Sequence, residues 1–579
     1  MRSMNTDVLV IGSGAAGMLA AAEASRRCAV ILVSKGAWGR DGATVTAQAD
    51  IAVDGRSCRE ILNIAGGDPA DSPDTFAEDI FREGELLGNP EHIAIQTESI
   101  AKEVLKLHER GLRFRGLVKC PGHSYARGVW ISAVELCYVL RGLLSKTSSK
   151  IISHSVACEF CINDGAVIGA LFWDRINGEP FVVRARVTVL CTGGAMRLYP
   201  YTTAPESLTG DGLAMAYRAG ACLRDMEFPM FLPYVLLSPK ILAGAAFSHD
   251  LAMLTEAHAL NRAGERYIKN WDPIRMERTT RDINSVAAGV EIFNGRGSPA
   301  GGVWLSLAHL PAGLIEHMGD WLPEGLHGWR YGGVNLKEHL PDISKDALET
   351  IPASHFWNGG IEIDENGATS IPGLFAAGEG TAGLHGANRL SGNGLGQAIV
   401  WGVRVGRAAS WEAGVRTTLP NIDLPSLKDA LHVLADPAER RNGVSSVNLW
   451  SEIRDSSWRG IGLVRNIESL NRFSDELAVL RGKANIQSAR SASLLWNRDL
   501  LIAIQNRNAL DVAECVSVAA MCREESRGAH YRSDFPHTED RWARSVKVKR
   551  QGDSAVASVD LPEEANGRRK YGMKGGSMS

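Results

Sequence analysis

The chain has 579 residues, of which 45% are hydrophobic and 22% charged, the balance of an ordinary soluble protein with material for large cores. A net charge of −3 offers no basic face for nucleic acid and no acidic excess of the kind that keeps chains disordered. No apolar run approaches the roughly 18 residues of a membrane span, and at about 150 residues per domain there is room for two to four domains.

Taken in chain order, the first forty residues form one βαβ unit. A short apolar strand over 7–11 runs into Gly12-Ser13-Gly14-Ala15-Ala16-Gly17. An alanine-rich helix to about residue 27 and a second strand over 29–33 follow. Gly12 permits the tight turn, Gly14 lets the backbone approach a pyrophosphate, and Gly17 lets helix and strand pack closely. The start of that helix then faces the phosphates. The acid expected after the second strand is absent, because Ser34-Lys35 stands there. The strand begins so early that no secretory leader fits, which predicts a cytoplasmic protein.

Residues 60–150 read as mainly helical and 151–194 as strands, ending in the glycine turn Cys191-Thr192-Gly193-Gly194. Cys158 and Cys161 form the one C-x-x-C among ten scattered cysteines. With no second pair nearby they read as positions in a strand pair, and no metal site is expected. Nor is there an iron–sulfur run or a haem attachment motif, so electrons must enter or leave through a separate partner or a small molecule. A mixed section fills 235–350. A strand over 371–377 feeds GEGTAGLHGANRLSGNG (378–394), and an apolar helical spacing covers 397–410. Residues 425–530 are amphipathic and helical, 545–561 alternate like a hairpin, and the tail from about 563 has the composition of a disordered segment.

Four segments together resemble the flavoprotein subunits of succinate dehydrogenase and fumarate reductase, a family that includes L-aspartate oxidase. They are VIGSGAAG (10–17), CTGG (191–194), IPASHFWNGGIEIDENGATSIPGLFAAGEG (351–380) with HGANRL (385–390), and EESRGAHYRSDFP (524–536). The resemblance implies an α/β fold: a Rossmann-like, discontinuous FAD-binding domain (1–234 and 351–424), an inserted α+β capping domain (235–350) and a C-terminal helical domain (425–530), followed by a hairpin and tail (531–579). It implies FAD rather than NAD, held by Gly12, Gly14, Ala15, Ala16, Gly17, Ser34, Lys35, Gly42, Ala43, Thr44, Ala47, Gln48, Thr192, Gly193, Gly194, Asp211, Gly378, Glu379, Asn393, Gly394 and Leu395. A carboxylate such as Glu379 suits sugar hydroxyls, which donate hydrogen bonds. Covalent relatives carry a flavin-bonding histidine where this chain has Ala43, so the FAD is expected to be non-covalent.

On the substrate side, the resemblance makes His355 and Arg389 the holders of a carboxylate, an anion that a guanidinium fork grips bidentately. It makes Arg281 the proton donor or acceptor, unusual for a group with a pKa above about 12; the bland alternative is a helix-surface arginine paired with Glu277. The family's Thr-Glu pair is kept as Thr255-Glu256, but the loop after it is shorter and lacks the relay arginine. His258 is the titratable candidate there, as a shuttle or as a structural residue. Leu232 replaces the histidine that binds a second carboxylate, and Tyr234 replaces a threonine. An apolar wall at Leu232 would make plain succinate or fumarate a poor substrate. Cys120-Pro121-Gly122-His123-Ser124 has no acid before Gly-His-Ser, which argues against amino-acid oxidation.

The expected function is an FAD-dependent oxidoreductase moving hydride between flavin N5 and a C–C bond adjacent to a carboxylate, with a non-standard substrate. Two alternatives stay open: an amino- or hydroxy-acid oxidase using oxygen, and an electron-transfer subunit with a degenerate pocket. The run Trp542-Ala543-Arg544-Ser545-Val546 resembles the end of complex-forming subunits and leaves room for a separate iron–sulfur partner.

Overall fold

The computed structural model describes residues 1–560 apart from 48–49, 247, 250–251, 253–254, 256, 322–328, 332–333, 417 and 420–426. Strand β1 (Arg2–Ile11) is buried from Val8 to Ile11, and helix α1 (Ala15–Ala24) is buried at every position. Strand β2 (Val30–Val33) is buried throughout and runs parallel to β1, Val8 facing Val30 and Ile11 facing Val33. Such continuous apolar strands mark a sheet covered on both faces. Helices α2 (Pro73–Glu83), α3 (Pro90–His108) and α4 (Ala133–Leu144) follow, α2 and α3 each opening on proline behind a capping Ser72 or Asn89.

Strand β3 (Lys150–Ile152) lies parallel to β2. Strands β4 (Ser155–Asn163), β5 (Ala166–Asp174) and β6 (Glu179–Leu190) form an antiparallel meander. β6 is one unbroken strand and returns to the centre beside β1, from Arg2 opposite Phe181 to Ile11 opposite Leu190. The path across the sheet is therefore β3-β2-β1-β6-β5-β4. Cys158 and Cys161 both lie on β4, one strand of the antiparallel β4–β5 pair, and both thiols are free.

After helix α5 (Asp211–Arg218) the chain builds a second, antiparallel sheet. Its strands are β7 (Pro229–Leu236), β8 (His258–Leu260), β9 (Val303–Ser306) and β10 (Leu348–Trp357), in the order β7-β10-β9-β8. Helix α6 (Arg281–Phe293) packs against β7. Strand β11 (Leu374–Ala376) then rejoins the first sheet, parallel to the end of β6. It feeds helix α7 (Asn393–Val415), longer at both ends than the 397–410 read from spacing.

Four helices, α8 (Lys428–Glu439), α9 (Ser446–Ile461), α10 (Ile467–Asn485) and α11 (Arg498–Cys522), make the next section. A hairpin of β12 (Val546–Gln551) and β13 (Ser554–Val559) pairs Val546 with Val559, and its first strand also pairs with Leu223 and Arg224. The tail read as disordered lies almost wholly in 561–579, outside the described residues. Among the described residues no helix is long and apolar enough to cross a membrane.

One packing seam sets up the site. A Cβ on Gly402 would come within 2.7 Å of the Ala16 carbonyl oxygen, and one on Gly406 within 2.5 Å of that of Ala20. Contacts that advance together by four residues mean that α1 and α7 run side by side in the same sense. Both helices therefore start at the same end. Because α7 begins well before Gly402, it projects about 12 Å farther at that end, at 1.5 Å per residue.

Candidate active site

A cleft runs along the ends of these elements. At its first end is the turn after β1. Gly12 has φ +109°, and a Cβ there would lie 2.2 Å from the Cys191 carbonyl oxygen. A Cβ on Gly17 would lie 2.0 Å from the Gly12 oxygen, so both glycines serve close packing. Gly14 precedes α1 without any side-chain cap, and the first turn carries no acid. Helix α7 starts likewise, behind Gly392, with no side-chain cap and no acid in its first turn. Two uncapped helix starts at one cleft are positive ends ready for anionic or carbonyl oxygens. Gly12, Gly14, Ala15, Ala16, Ser34, Lys35, Gly42, Ala43, Thr44, Ala47, Thr192, Gly193, Asp211, Gly378, Glu379, Gly394 and Leu395 all line the cleft.

Several of these side chains are already fixed. Ser34 Oγ lies 2.7 Å from Ser13 Oγ. Lys35 Nζ donates to Asp211 at 2.6 Å, and Asp211 also accepts from Asn508 Nδ2 at 2.9 Å. The Ala15 N–H donates to Thr44 Oγ1 at 3.0 Å. Glu379 Oε1 accepts from the Trp357 N–H at 3.0 Å; burial raises its pKa to about 7, opposed by the N–H groups of Trp357 and Gly194 and by Arg389. Gly17, Gly194 and Asn393 stand behind the lining: a Cβ on Gly194 would meet Trp357 and Glu379, and Asn393 Nδ2 donates to the Leu390 carbonyl at 3.3 Å. Gln48 lies outside the described residues. A long, partly polar cleft with two uncapped helix starts and a sugar-competent carboxylate fits FAD.

At the other end the cleft reaches His355 and Arg389. Arg389 stacks its guanidinium 4.2 Å above the Phe356 ring, and its Nε is buried with no hydrogen-bond partner. Burial and the nearby Arg281 lower its pKa to about 10, so it stays charged at neutral pH. His355 Nδ1 lies 2.8 Å from Thr203 Oγ1. Burial, Arg389 and Arg281 hold His355 well below the usual histidine range, so it is neutral. Arg281 starts α6, donating from Nη2 to Ser391 Oγ at 3.0 Å and from Nε to His249 Nε2 at 3.4 Å. It does not pair with Glu277, which binds Arg266 and the Ala259 N–H instead.

The structure thus brings Arg281, His355 and Arg389 together from three separate elements. His249 is a fourth member that the sequence did not announce. It is 4% exposed, neutral because of burial and Arg281, and its Nδ1 has no hydrogen-bond partner. Leu232 packs with Val235, Ala246 and Ala353, one residue behind the cleft lining, which Ala246 joins. Tyr234 donates to Asn284 Oδ1 at 2.7 Å. His258 sits on the edge strand β8 with its ring stacked 3.7 Å from that of His309, and is absent from the cleft lining. Thr255 is buried; Glu256 lies outside the described residues.

Comparison with known proteins agrees with this geometry. Residues 7–395 match the FAD binding domain family, and residues 450–565 match the fumarate reductase flavoprotein C-terminal family. The protein is an FAD-dependent oxidoreductase. It is 33% identical to a component of the CoM/CoB fumarate reductase of Methanothermobacter marburgensis, over 94% of this chain and 97% of that one. It is 30% identical to the L-aspartate oxidase of Yersinia pestis, over 92% and 96%. Its fold matches Sdh1 of Mycobacterium smegmatis with a TM-score of 0.85 at 28% identity, over 96% of this chain and 94% of that one. The chain belongs to the succinate dehydrogenase and fumarate reductase flavoprotein family, which includes L-aspartate oxidase.

Proposed function

We propose that this enzyme adds or removes a hydride and a proton across a carbon–carbon bond beside a carboxylate, and that its preferred substrate is neither plain succinate nor fumarate. The observation that carries this is the pair of guanidinium groups, Arg389 and Arg281, set close together with no ion pair to either among the described residues. Buried or half-buried cations with no direct ion pair favour an anion between them. Bound FAD supplies the hydride donor or acceptor. Arg389 grips one carboxylate with help from the neutral His355, and Arg281 exchanges the proton at the neighbouring carbon. The second sheet, spanning much of 235–350, acts as the cap that brings Arg281 over the cofactor domain.

Among the described residues, neither Leu232 nor His249 offers a cation to the distal end of the substrate. Leu232 is packed away, and the nearby His249 is neutral. A less charged distal group therefore suits the site better than a carboxylate. Absence of an acid before Gly122-His123-Ser124 supports C–C chemistry over amino-acid oxidation. The relative named for CoM and CoB makes those thiols the first electron donors to try, and co-purification tests for a separate iron–sulfur partner protein.

The deciding experiment is anaerobic reoxidation of the reduced holoenzyme by fumarate, monomethyl fumarate and crotonate, with bleaching by succinate and aspartate in parallel. Monomethyl fumarate should react roughly tenfold faster than fumarate. Equal rates would reject the substrate assignment, and no reaction with any unsaturated acid would reject the reaction class. Hydrogen peroxide formed from aspartate under air would favour the oxidase reading.

A further inference from the structure

Arg281 has two hydrogen-bonded neighbours, and they lead to different places. His249 is the first. It is almost wholly buried, and among the described residues its far nitrogen, Nδ1, has no hydrogen-bond partner to carry a proton onward. Ser391 is the second. Its hydroxyl accepts from Arg281 Nη2 at 3.0 Å and donates to Asp50 Oδ2 at 3.4 Å. One hydroxyl thus bridges a guanidinium and a carboxylate.

The bridge is held in place from several sides. Ser391 is 4% exposed, and its carbonyl lies 3.1 Å from His123 Nε2. Asp50 opens a short strand (Asp50–Ala52) that pairs with Gly128–Trp130. Glycines leave space around its carboxylate: a Cβ on Gly392 would lie 3.0 Å from Oδ2 and one on Gly128 3.2 Å. Asp50 has no ion pair among the described residues. It is half-buried, is not part of the cleft lining, and touches Cys120 Sγ, next in sequence to the exposed Lys119, at 3.8 Å. That partial exposure leaves Asp50 within reach of water.

We infer that Asp50 and Ser391 form the proton route to Arg281, standing in for the relay arginine that this chain lacks. The inference rests on the proposed role of Arg281 as the group that exchanges the substrate proton. In the reductive direction, the electron-rich substrate carbon takes a proton from the Arg281 guanidinium, making one C–H bond and breaking one N–H bond. The Asp50 carboxylate picks up a proton from water and hands it to Ser391 Oγ, while the hydroxyl proton of Ser391 moves to Arg281. One solvent proton is consumed, Asp50 ends as the carboxylate it began as, and Ser391 and Arg281 are restored. Arg281 touches substrate; Ser391 and Asp50 act through it.

The test uses FAD-loaded full-length protein with Ser391→Ala, Ser391→Thr, Asp50→Asn and Asp50→Glu. Monomethyl fumarate and fumarate serve as oxidants, and ferricyanide serves as an acceptor that needs no carbon protonation. Ser391→Ala and Asp50→Asn should slow kcat for the alkenes by roughly a hundredfold, within the range of a lost acid–base step. KM, FAD content and ferricyanide reduction should stay near those of the parent. Ser391→Thr, which keeps the hydroxyl, and Asp50→Glu, which keeps the carboxyl, should recover most of the rate. The slowed variants should also show an enlarged solvent deuterium isotope effect. Parent-like alkene turnover in Ser391→Ala and Asp50→Asn, or equal losses with ferricyanide, would overturn the relay. Failure of every alkene with the parent enzyme would instead remove the functional reading, and the relay with it.

Discussion

Gly394 shows how much one missing side chain can decide. A Cβ there would lie 2.4 Å from Arg389 Nη1 and 3.1 Å from the Phe356 ring. Its absence is what lets the guanidinium lie flat on that ring at the cleft. Gly394→Ala should push Arg389 aside and raise KM for the carboxylate substrate about tenfold or more, the weight of one charge-assisted hydrogen bond. Steady-state kinetics with flavin content as control will check it. Glu379 offers a second test, in the apoprotein. Burial raises its folded pKa to about 7, whereas an unfolded glutamate ionises near about 4.3. The unfolded chain thus releases its proton first, and this residue takes stability from the fold as pH rises between those values. Glu379→Gln should therefore shift the urea midpoint upward at pH 8 and leave it nearly unchanged at pH 4.5. At this scale Arg281, His355 and Arg389 were legible because each sits in a recognisable local motif. Ser391, Asp50 and His249 were not, because Ser391 meets Arg281 across 110 positions and Asp50 across 341. No local pattern carries information over such separations.

Among the elements, α7 was half legible. Its apolar period over 397–410 gave a helix, but the start at Asn393 was hidden in a glycine-rich stretch that reads as loop. The reason is physical: the first turn of α7 faces a ligand and an arginine, and has no core to advertise. The β1–α1–β2 unit was legible in full, since its glycines and its apolar strands point to one geometry. Strand β6 carries polar residues along its middle, yet pairing with β1 along its length keeps it whole. The α1–α7 seam yields a prediction of its own. Gly406→Val would drive a branched side chain into the Ala20 carbonyl, 2.5 Å from the first added carbon. Overpacking of this kind costs about 1–3 kcal/mol. The variant should melt earlier and bind FAD more weakly, as read by thermal denaturation and flavin fluorescence.

For the whole molecule, cofactor and fold are linked. The cleft that fits FAD is built from the first sheet, the start of α7 and residues of β10, so stripping the cofactor should lower Tm. Adding it back at 100 times its Kd should restore about 2.7 kcal/mol. Acid precipitation should leave the yellow colour in the supernatant, since Ala43 offers no bond to the flavin. The order of strands in the first sheet lay beyond sequence reading, because β1 finds its central partner β6 some 180 residues later in the chain and only tertiary packing selects that pairing.

The shared direction of α1 and α7 has one more consequence. Arg389 precedes the first residue of α7 by only four positions, so cofactor end and substrate end ride on one stiff rod clamped at Gly402 and Gly406. The clamp acts as a vernier. Inserting one turn into α7 ahead of Gly402 would advance its tip by about 5.4 Å and carry Arg389 along with it. Such a chain could still fold and still hold the phosphates at α1, yet it would present its arginine to the wrong atom. Catalytic alignment in this enzyme is gauged in the core, where two glycines meet two alanines.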